Sequence, residues 1–354
     1  MRTEDFDFHF PENLIAYHPL ARGESRMMVV DKQVSGRDAY APALFTHTSA
    51  LADFLDPGDA LVLNDTKVLR ARLIGESAAG GRCEALLLAP APCGDPGKCR
   101  WEAMVKPGKR FRPGDRALFS QRLIATVAQV AEDGTRILEF DLDREGFLAE
   151  LELTGRIPLP PYIKREASAA DALSYQSVFA AHPGSVAAPT ASLHLSESML
   201  ADIRAKGVDI RMVTLHVGAG TFKPVQSETL AGHAMHSESY VMSAETAAAL
   251  NGVRRQGRKI WAVGTTAARV LETQARGSGT SVFEPGSGQT SIFIHPGYAW
   301  KGLDGLLTNF HWPKSTLFML VSSLLGPERA KQAYAEAFAQ GMRLFSYGDA
   351  MLIR

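Results

Sequence analysis

The order of strand and helix signals along this chain constrains its fold more than any other feature. Short β-rich runs separated by turns fill residues 61–153, and from residue 154 onward strand signals alternate with helix signals. Short strands joined by turns are typical of a barrel or sandwich, whereas strand–helix alternation indicates a mainly parallel sheet covered by helices. The sequence therefore predicts an α/β main domain, residues 1–60 and 154–354, with an inserted small all-β barrel domain, residues 61–153.

Local signals place the elements of these two parts. The first β-rich run, residues 60–64, is assigned to the barrel. Ser196, Ser243 and Ser315 stand where a side-chain oxygen can cap a helix, and Pro327 suits a first turn. The predicted strands of the main domain include 27–30, 210–217, 259–263, 291–295 and 305–309. The predicted helices are 196–206, 243–254, 266–275, 315–325 and 327–340.

Charge and cysteine content narrow the class of protein. Lys and Arg number 38 and Asp and Glu number 38, so the net charge does not indicate a nucleic-acid binder. The odd number of cysteines, three, disfavours a disulfide framework, and the absence of a CxxC pair disfavours a structural zinc site. Residues 1–10 lack the apolar core of a signal peptide, and the longest apolar stretch, 315–325, is shorter than the ~20 residues that span a bilayer. We therefore expect a cytoplasmic protein without membrane attachment.

One strand runs into Gly264, Thr265 and Thr266 and then into a helix. Glycine lets a ligand approach the backbone, and a helix N-terminus offers unpaired N–H groups to an anion. Because ligands bind at the carboxyl ends of strands in open α/β sheets, this turn is a candidate site for a carboxylate or a ribose hydroxyl. The alternative is that Thr265 only caps the helix.

A second strand runs into a glycine-rich loop, with His216 at the end of the strand and Gly218, Gly220 and Thr221 in the loop. A histidine inside an apolar strand is usually a buried structural residue. Its position just before the loop makes a functional role an equal alternative.

Two histidines and a glutamate, His233, His236 and Glu238, fall close together. Such residues bind zinc, but the HExxH order is absent. If the segment is a strand, His236, Glu238 and Tyr240 share one face, which suits acid–base chemistry or hydroxyl recognition. An exposed polar strand is the remaining alternative.

Two further loops have features of a binding site. Residues 182–194 form a long run of small residues that packs little, as functional loops often do. Residues 307–316 join a strand to the apolar helix, and their aromatic residues and Lys314 can stack on a base or hold a phosphate.

Basic residues are concentrated in the β-rich part. Lys106, Lys109, Arg110, Arg112 and Arg116 fall within eleven residues, and over 64–122 twelve Lys or Arg stand against six Asp or Glu. This pattern predicts a surface that follows the phosphates of an RNA, with a merely solvated basic strand as the alternative.

Together these motifs resemble the S-adenosylmethionine:tRNA ribosyltransferase-isomerase family of queuosine biosynthesis. This chain departs from the family pattern at five positions: Ser192, Leu195, Gln289, Ser291 and Trp312. These departures leave details of the pocket open. The resemblance covers nearly the whole chain and rests on residues 5–8, 25–26, 63–68, 105–108, 155–162, 175–176, 184–191, 296–298, 308–311 and 345–351, and on the segments around His216, His236 and Gly264.

The resemblance implies that the ribosyl part of S-adenosylmethionine is transferred to 7-aminomethyl-7-deazaguanine at the wobble position of a tRNA and isomerised. The product is epoxyqueuosine, and adenine and methionine leave. S-adenosylmethionine is consumed as a substrate, so no metal and no other cofactor is expected. The implied fold is an α/β domain with a small β-barrel, and we expect a monomer that binds tRNA.

The same resemblance, together with the motifs, assigns roles. His216 and His236 are the leading acid–base candidates, followed by His194 and His311, and Glu238 orients a histidine or a hydroxyl. Arg269 is expected to meet the carboxylate of S-adenosylmethionine. The candidate substrate-binding residues are Pro189, Thr190, Gly218, Gly220, Thr221, Gly264, Thr265, Thr266, Arg269, Asn309 and Lys314.

Two other classes remain open. One is a metal-dependent hydrolase built on His233, His236 and Glu238. The other is a non-catalytic tRNA-binding protein that uses the basic β domain.

Overall fold

The computed structural model describes residues 1–32, 43–218, 225 and 227–354. Within them lie a nine-stranded sheet, a closed six-stranded barrel and two small two-stranded sheets. The α-helices are α1 (Arg144–Thr154), α2 (Ala169–Ser174), α3 (Glu197–Ala205), α4 (Ala244–Arg255), α5 (Gly264–Gln274), α6 (Thr316–Leu325) and α7 (Pro327–Ala339). The strands are β1 (Arg26–Val30), β2 (Leu44–His47), β3 (Ala60–Asn64), β4 (Thr66–Val68), β5 (Arg72–Ser77), β6 (Arg82–Ala91), β7 (Cys99–Lys106), β8 (Arg116–Leu118), β9 (Ile124–Val130), β10 (Arg136–Phe140), β11 (His182–Ser185), β12 (Asp209–Leu215), β13 (Glu238–Met242), β14 (Ile260–Val263), β15 (Ala275–Ser278), β16 (Ser281–Phe283), β17 (Gly286–Thr290), β18 (Gly305–Asn309) and β19 (Ala350–Ile353).

The large sheet has the strand order β17-β13-β12-β3-β14-β18-β19-β1-β2. Its centre, β12-β3-β14-β18, is parallel, and antiparallel pairs join β13 and β19 to this centre. Six of the nine strands run in one direction. This architecture confirms an α/β fold with a mainly parallel sheet and a separate all-β barrel.

The strand expected at 291–295 is wrong, and β17 supplies the edge strand instead. The ladder ends where Thr290 pairs with Glu238, the first residue of β13. The Thr290 hydroxyl then lies 3.3 Å from the backbone nitrogen of Ile292 and 2.7 Å from Thr273 Oγ1. These bonds tie down the end of the strand, so the apolar residues that follow leave the sheet.

Helix starts follow the predicted caps. Ser196, Ser243 and Ser315 each accept a hydrogen bond from the backbone nitrogen three residues later, at 3.1–3.2 Å, and Pro327 occupies the first turn of α7. The helix predicted to start at residue 266 begins earlier, as α5, at Gly264, and no side chain caps it. Thr265 is therefore not its N-cap.

Residues 60–64 lie in the centre of the large sheet, as β3, and not in the barrel. Val62 packs into the core on one face, and Leu61 and Leu63 pack into the core on the other face. A strand buried on both faces reads as a continuous apolar run, so its pattern does not reveal which sheet it joins.

The barrel closes in the order β10-β7-β6-β5-β8-β9, so its strands span Arg72–Phe140. Phe147 of α1 packs inside with its ring 5.4 Å from Trp101 and 4.7 Å from Phe140. The division at residues 60/61 and 153/154 stays a prediction. Among the described residues no helix is long and apolar enough to cross a membrane.

Candidate active site

A pocket of about 360 Å³ opens at the carboxyl ends of β14 and β18. Ligands in α/β sheets bind at this edge, and small-molecule sites have this order of volume. Seven predicted site residues line it: Pro189, Thr190, Gly264, Thr265, Thr266, Asn309 and His311. The complete lining is 161–162, 187–191, 217, 264–266, 308–313, 315, 317 and 345–346.

The N-terminus of α5 forms one wall of this pocket. Gly264 has φ +85°, which turns the chain from β14 directly into the helix. Because no side chain caps this end, its first N–H groups and the positive end of the helix dipole remain available to an anion. Thr266 Oγ1 accepts from Asn64 Nδ2 at 3.1 Å, and the same nitrogen donates to the Leu215 carbonyl at 3.0 Å. Asn64 thus fixes α5 against β12.

Gly264→Ala tests this wall. A Cβ at this position meets nothing closer than 3.6 Å, but the backbone conformation costs an L-residue about 1–2 kcal/mol. Gly114→Ala is a matched control, since Gly114 has φ +84° in open space outside the pocket. We expect urea denaturation to show a similar loss of stability in both variants. Affinity for S-adenosylhomocysteine, an analogue of the substrate that the family resemblance implies, should fall in Gly264→Ala alone, and an equal fall in both would contradict the assignment of this wall to ligand binding.

Aromatic rings form a second wall. Trp312 and Phe345 stack with ring centroids 4.0 Å apart and planes inclined by 12°. Tyr162 contacts both, at 5.6 Å and 5.3 Å. The sequence patterns do not identify Tyr162 and Phe345 as site residues, because these two residues come from chain segments remote from Trp312.

His194 lies behind Asn309 and is 5% exposed. Asn309 Nδ2 is 3.3 Å from His194 Nε2 and 2.9 Å from the Phe345 carbonyl. Burial lowers the pKa of His194 to about 4, so the ring is neutral near pH 7. His311 lines the pocket with Nε2 2.8 Å from Thr308 Oγ1, and burial lowers its pKa as well.

The pKa of His194 makes stability depend on pH. Its folded pKa, about 4, lies below the ordinary value of 6.5, so the unfolded chain binds a proton first as the pH falls. The stability that the neutral His194 ring contributes is therefore fully present above about pH 6.5 and is lost as the pH falls towards 4. Between about pH 7 and pH 5 the contribution of His194 is about 2 kcal/mol. Urea denaturation measures how far the free energy of unfolding falls from pH 7 to pH 5. This fall should be smaller by about 2 kcal/mol in His194→Phe than in the wild-type protein, and an equal fall in both proteins would refute the linkage.

His216 belongs to a chain of hydrogen bonds behind the pocket. Its Nδ1 is 2.8 Å from Thr66 Oγ1, which is 2.7 Å from Ser185 Oγ. Ser185 Oγ in turn accepts from the backbone nitrogen of Val217, a pocket residue, at 2.8 Å. Burial lowers the pKa of His216. The ring packs on Gly184, where a Cβ would be 2.5 Å from Nδ1.

Glu238 and Arg269 form a buried ion pair, and neither lines the pocket. Arg269 Nη1 donates to Glu238 Oε2, and Nη2 lies 3.3 Å from the Thr290 carbonyl. Glu238 Oε1 accepts from the backbone nitrogen of Gly218 at 2.8 Å. The pair therefore joins β13, α5 and the backbone at Gly218, which follows β12. The expected contact of Arg269 with a substrate carboxylate stays a prediction.

The other predicted residues are spread more widely. His236 is exposed and precedes β13, whereas Glu238 and Tyr240 are buried on that strand. Lys314 Nζ lies outside the pocket lining, 2.9 Å from Asp7 and 3.5 Å from Glu4. Gly220 and Thr221 fall outside the described residues.

The five basic candidates lie on the segment that leads from β7 to β8, with Lys106 ending β7 and Arg116 beginning β8. Four are exposed, and Arg110, which is half-buried, donates to the Arg82 carbonyl. Within the described part of the chain no ion pair involves any of the five.

Comparison with known proteins assigns the family. A family profile described as "Queuosine biosynthesis protein" matches residues 3–353. A curated protein from Dinoroseobacter shibae is 47% identical over 363 residues, which cover 100% of this chain and 98% of that protein. A curated protein from Symbiobacterium thermophilum is 47% identical over 357 residues, which cover 100% of both chains. Both are named "S-adenosylmethionine:tRNA ribosyltransferase-isomerase", as is a relative from Rhodospirillum rubrum that is 46% identical over 354 residues, covering 100% of this chain and 98% of the relative.

A solved structure agrees with this assignment. The crystal structure of an S-adenosylmethionine tRNA ribosyltransferase from Thermotoga maritima is 31% identical, with a TM-score of 0.55, and the likeness covers 99% of this chain and 100% of that one. The chain belongs to the queuosine biosynthesis protein family, which includes the S-adenosylmethionine:tRNA ribosyltransferase-isomerases.

Proposed function

We propose that this chain transfers the ribosyl moiety of S-adenosylmethionine to 7-aminomethyl-7-deazaguanine at the tRNA wobble position and isomerises it. The products are epoxyqueuosine in the tRNA, adenine and methionine. The observation that carries the proposal is the pocket at the carboxyl edge of the sheet, built from the segments that resemble the family. The whole-chain similarity to the named relatives supports the same activity.

The overall reaction sets the requirements for the pocket. The bonds from the ribosyl unit to adenine and to sulfur break, the amine nitrogen bonds to the five-carbon unit, and a new carbon–carbon bond within that unit closes the carbon ring of epoxyqueuosine. The neutral amine and a carbon beside the sulfonium each lose a proton. One proton leaves with adenine, and the other goes to solvent with the positive charge of the sulfonium. The site therefore needs a base, an acid and a neutral amine.

The uncapped N-terminus of α5 suits the anionic end of S-adenosylmethionine. Its N–H groups and dipole favour a carboxylate, and Gly264 lets such a group approach the backbone. Thr265 and Thr266 line the same wall and add hydroxyl groups. We place the methionine carboxylate here.

Among the histidines, geometry favours His216 as the base. Its ring nitrogen is in a defined hydrogen bond to Thr66, and this chain of bonds ends at the pocket residue Val217. His311 and His194 are neutral, so they can accept or relay a proton, although a low pKa weakens them as bases. His236, which is exposed and precedes β13, remains a candidate.

The basic segment between β7 and β8 is the proposed tRNA contact. Exposed cations without a carboxylate partner attract phosphates and release counterions, so binding should weaken steeply as salt rises. Replacing Lys106, Lys109 and Arg112 by glutamine should weaken the affinity for an anticodon stem–loop and reduce its salt dependence. Binding of S-adenosylhomocysteine by this variant should not change.

The test of the proposed function is adenine release. The protein is mixed with S-adenosylmethionine and an anticodon stem–loop that carries 7-aminomethyl-7-deazaguanine, and free adenine and RNA mass are measured. We expect adenine and a heavier RNA only when both substrates are present. RNA that binds while no adenine appears would overturn the proposal in favour of a non-catalytic tRNA-binding protein.

The metal-dependent hydrolase is the other alternative. Both carboxylate oxygens of Glu238 are engaged, by Gly218 and by Arg269, and His236 is exposed beside the strand. In the described ranges no group of three or more His, Cys, Asp or Glu is placed to hold a metal ion. Activity that survives a chelator, with no metal found by elemental analysis, is the expected outcome.

A further inference from the structure

One side of the pocket joins flat aromatic surface to an oriented amide. Trp312 and Phe345 are stacked, and Tyr162 borders both rings. Asn309, at the end of β18, donates to the Phe345 carbonyl at 2.9 Å. The amide and the aromatic wall therefore hold a fixed position relative to each other.

The chemistry of its partners fixes which way the Asn309 amide points. A carbonyl oxygen only accepts hydrogen bonds, so the atom beside Phe345 O must be Nδ2. The other hydrogen of Nδ2 points to His194 Nε2, 3.3 Å away, which therefore accepts and leaves the ring proton on Nδ1. With both N–H groups used, Oδ1 can only accept: the Thr190 hydroxyl donates to it at 3.5 Å, which leaves a lone pair for a ligand, and both Asn309 and Thr190 line the pocket.

We propose that this wall is the adenine subsite, in which the purine stacks on the Trp312–Phe345 wall and its exocyclic amino group donates to Asn309 Oδ1. The inference rests on the proposed function, because S-adenosylmethionine supplies the purine. An aromatic face binds any base, whereas an acceptor held in place selects the amino group of adenine. Hypoxanthine has an accepting oxygen at that position, so two acceptors would face each other and the buried purine oxygen would be left without a donor.

His194 is a positioning residue in this subsite. It touches Asn309 and has no place in the pocket lining. Without its Nε2 acceptor, the Asn309 amide loses one of the two hydrogen bonds that its nitrogen donates. The expected consequence is a loss of discrimination between the two purines, which a purely structural effect would not produce.

The test is calorimetric titration with S-adenosylhomocysteine and with S-inosylhomocysteine. Wild-type protein should bind the adenine form at least about tenfold more tightly, the effect of one unpaired buried acceptor. Trp312→Leu should weaken both ligands several-fold and keep their ratio. His194→Phe should bring the ratio towards one. Trp300→Leu, a partly buried tryptophan outside the pocket, should leave both affinities unchanged.

Equal wild-type affinity for the two ligands, with adenine still released in the transfer assay, would overturn the subsite and leave the proposed function standing. Failure of both ligands to bind, together with no adenine release, would overturn the proposed function and the subsite with it. If His194→Phe does not fold, the wild-type ratio and Trp312→Leu still decide.

Discussion

Glu238→Gln is expected to lower the free energy of unfolding by about 3–5 kcal/mol, because it leaves the guanidinium of Arg269 buried without a counter-charge. The side chains of Arg269 and Glu238 are only 6% and 5% exposed. Nε of Arg269 has no hydrogen-bond partner among the described residues, so the group depends on Glu238 and the Thr290 carbonyl. Urea denaturation at neutral pH measures the loss.

An exposed ion pair is the control for this variant. Glu166 is 74% exposed and lies 3.3 Å from Arg156, so Glu166→Gln should cost less than about 1 kcal/mol. The double variant Glu238→Gln/Arg269→Met should recover part of the loss, since no uncompensated charge remains. A loss for Glu238→Gln no larger than that of Glu166→Gln would refute this account of the pair.

The same pair bears on the role expected for Glu238 in catalysis. Its Oε1 accepts a hydrogen bond from the backbone nitrogen of Gly218, three residues after the end of β12. Because it acts through backbone and guanidinium contacts, we expect Glu238→Gln to reduce turnover without changing the shape of the pH profile. A shifted profile would instead indicate a direct part in proton transfer.

His216→Ala is expected to reduce turnover by about 100-fold or more, the usual contribution of a general base. Only the neutral ring can take a proton, and burial lowers the pKa of His216, so the acidic limb of the wild-type pH profile should lie below about pH 6.5. Gly184→Ala should act in the same direction, because its Cβ would displace the ring from Thr66. The rate of adenine release in a single turnover is measured for the wild-type protein, His216→Ala and Gly184→Ala.

His47→Ala is the control, since His47 is exposed at the end of β2. It should leave turnover unchanged. His236→Ala is measured alongside, and whichever of His216 and His236 can be replaced without loss is removed from the catalytic candidates. Full activity of both variants would contradict a base at either position.

Local signals in the sequence predict α3 to α7, whereas α1 and α2 lie outside the predicted helices. A serine oxygen three residues before a backbone N–H caps a helix through neighbouring atoms alone, so Ser196, Ser243 and Ser315 could be recognised. The sequence pattern places the start of α5 too late, because this start depends on the positive φ of Gly264 after β14, which a threonine-cap pattern does not reveal.

The pocket depends on contacts between distant parts of the chain. Tyr162 and Phe345 meet at 5.3 Å although 183 residues separate them, and Asn64 reaches Thr266 across 202 residues. Periodicity and capping describe neighbours in sequence, so they identified Gly264 and Asn309 as site residues and missed these partners. The pairing of Glu238 with Arg269, which turns both away from the pocket lining, is hidden for the same reason.

The most direct test of the central claim follows the ribose carbons. The protein is incubated with S-adenosylmethionine that carries carbon-13 throughout the ribose and with the 7-aminomethyl-7-deazaguanine stem–loop. The masses of all products are then determined by mass spectrometry. The account predicts that the label appears in the RNA and that the released adenine and methionine are unlabelled, in equal amounts. An RNA that gains only a methyl group, or label that remains in a small molecule while the RNA mass is unchanged, would contradict it.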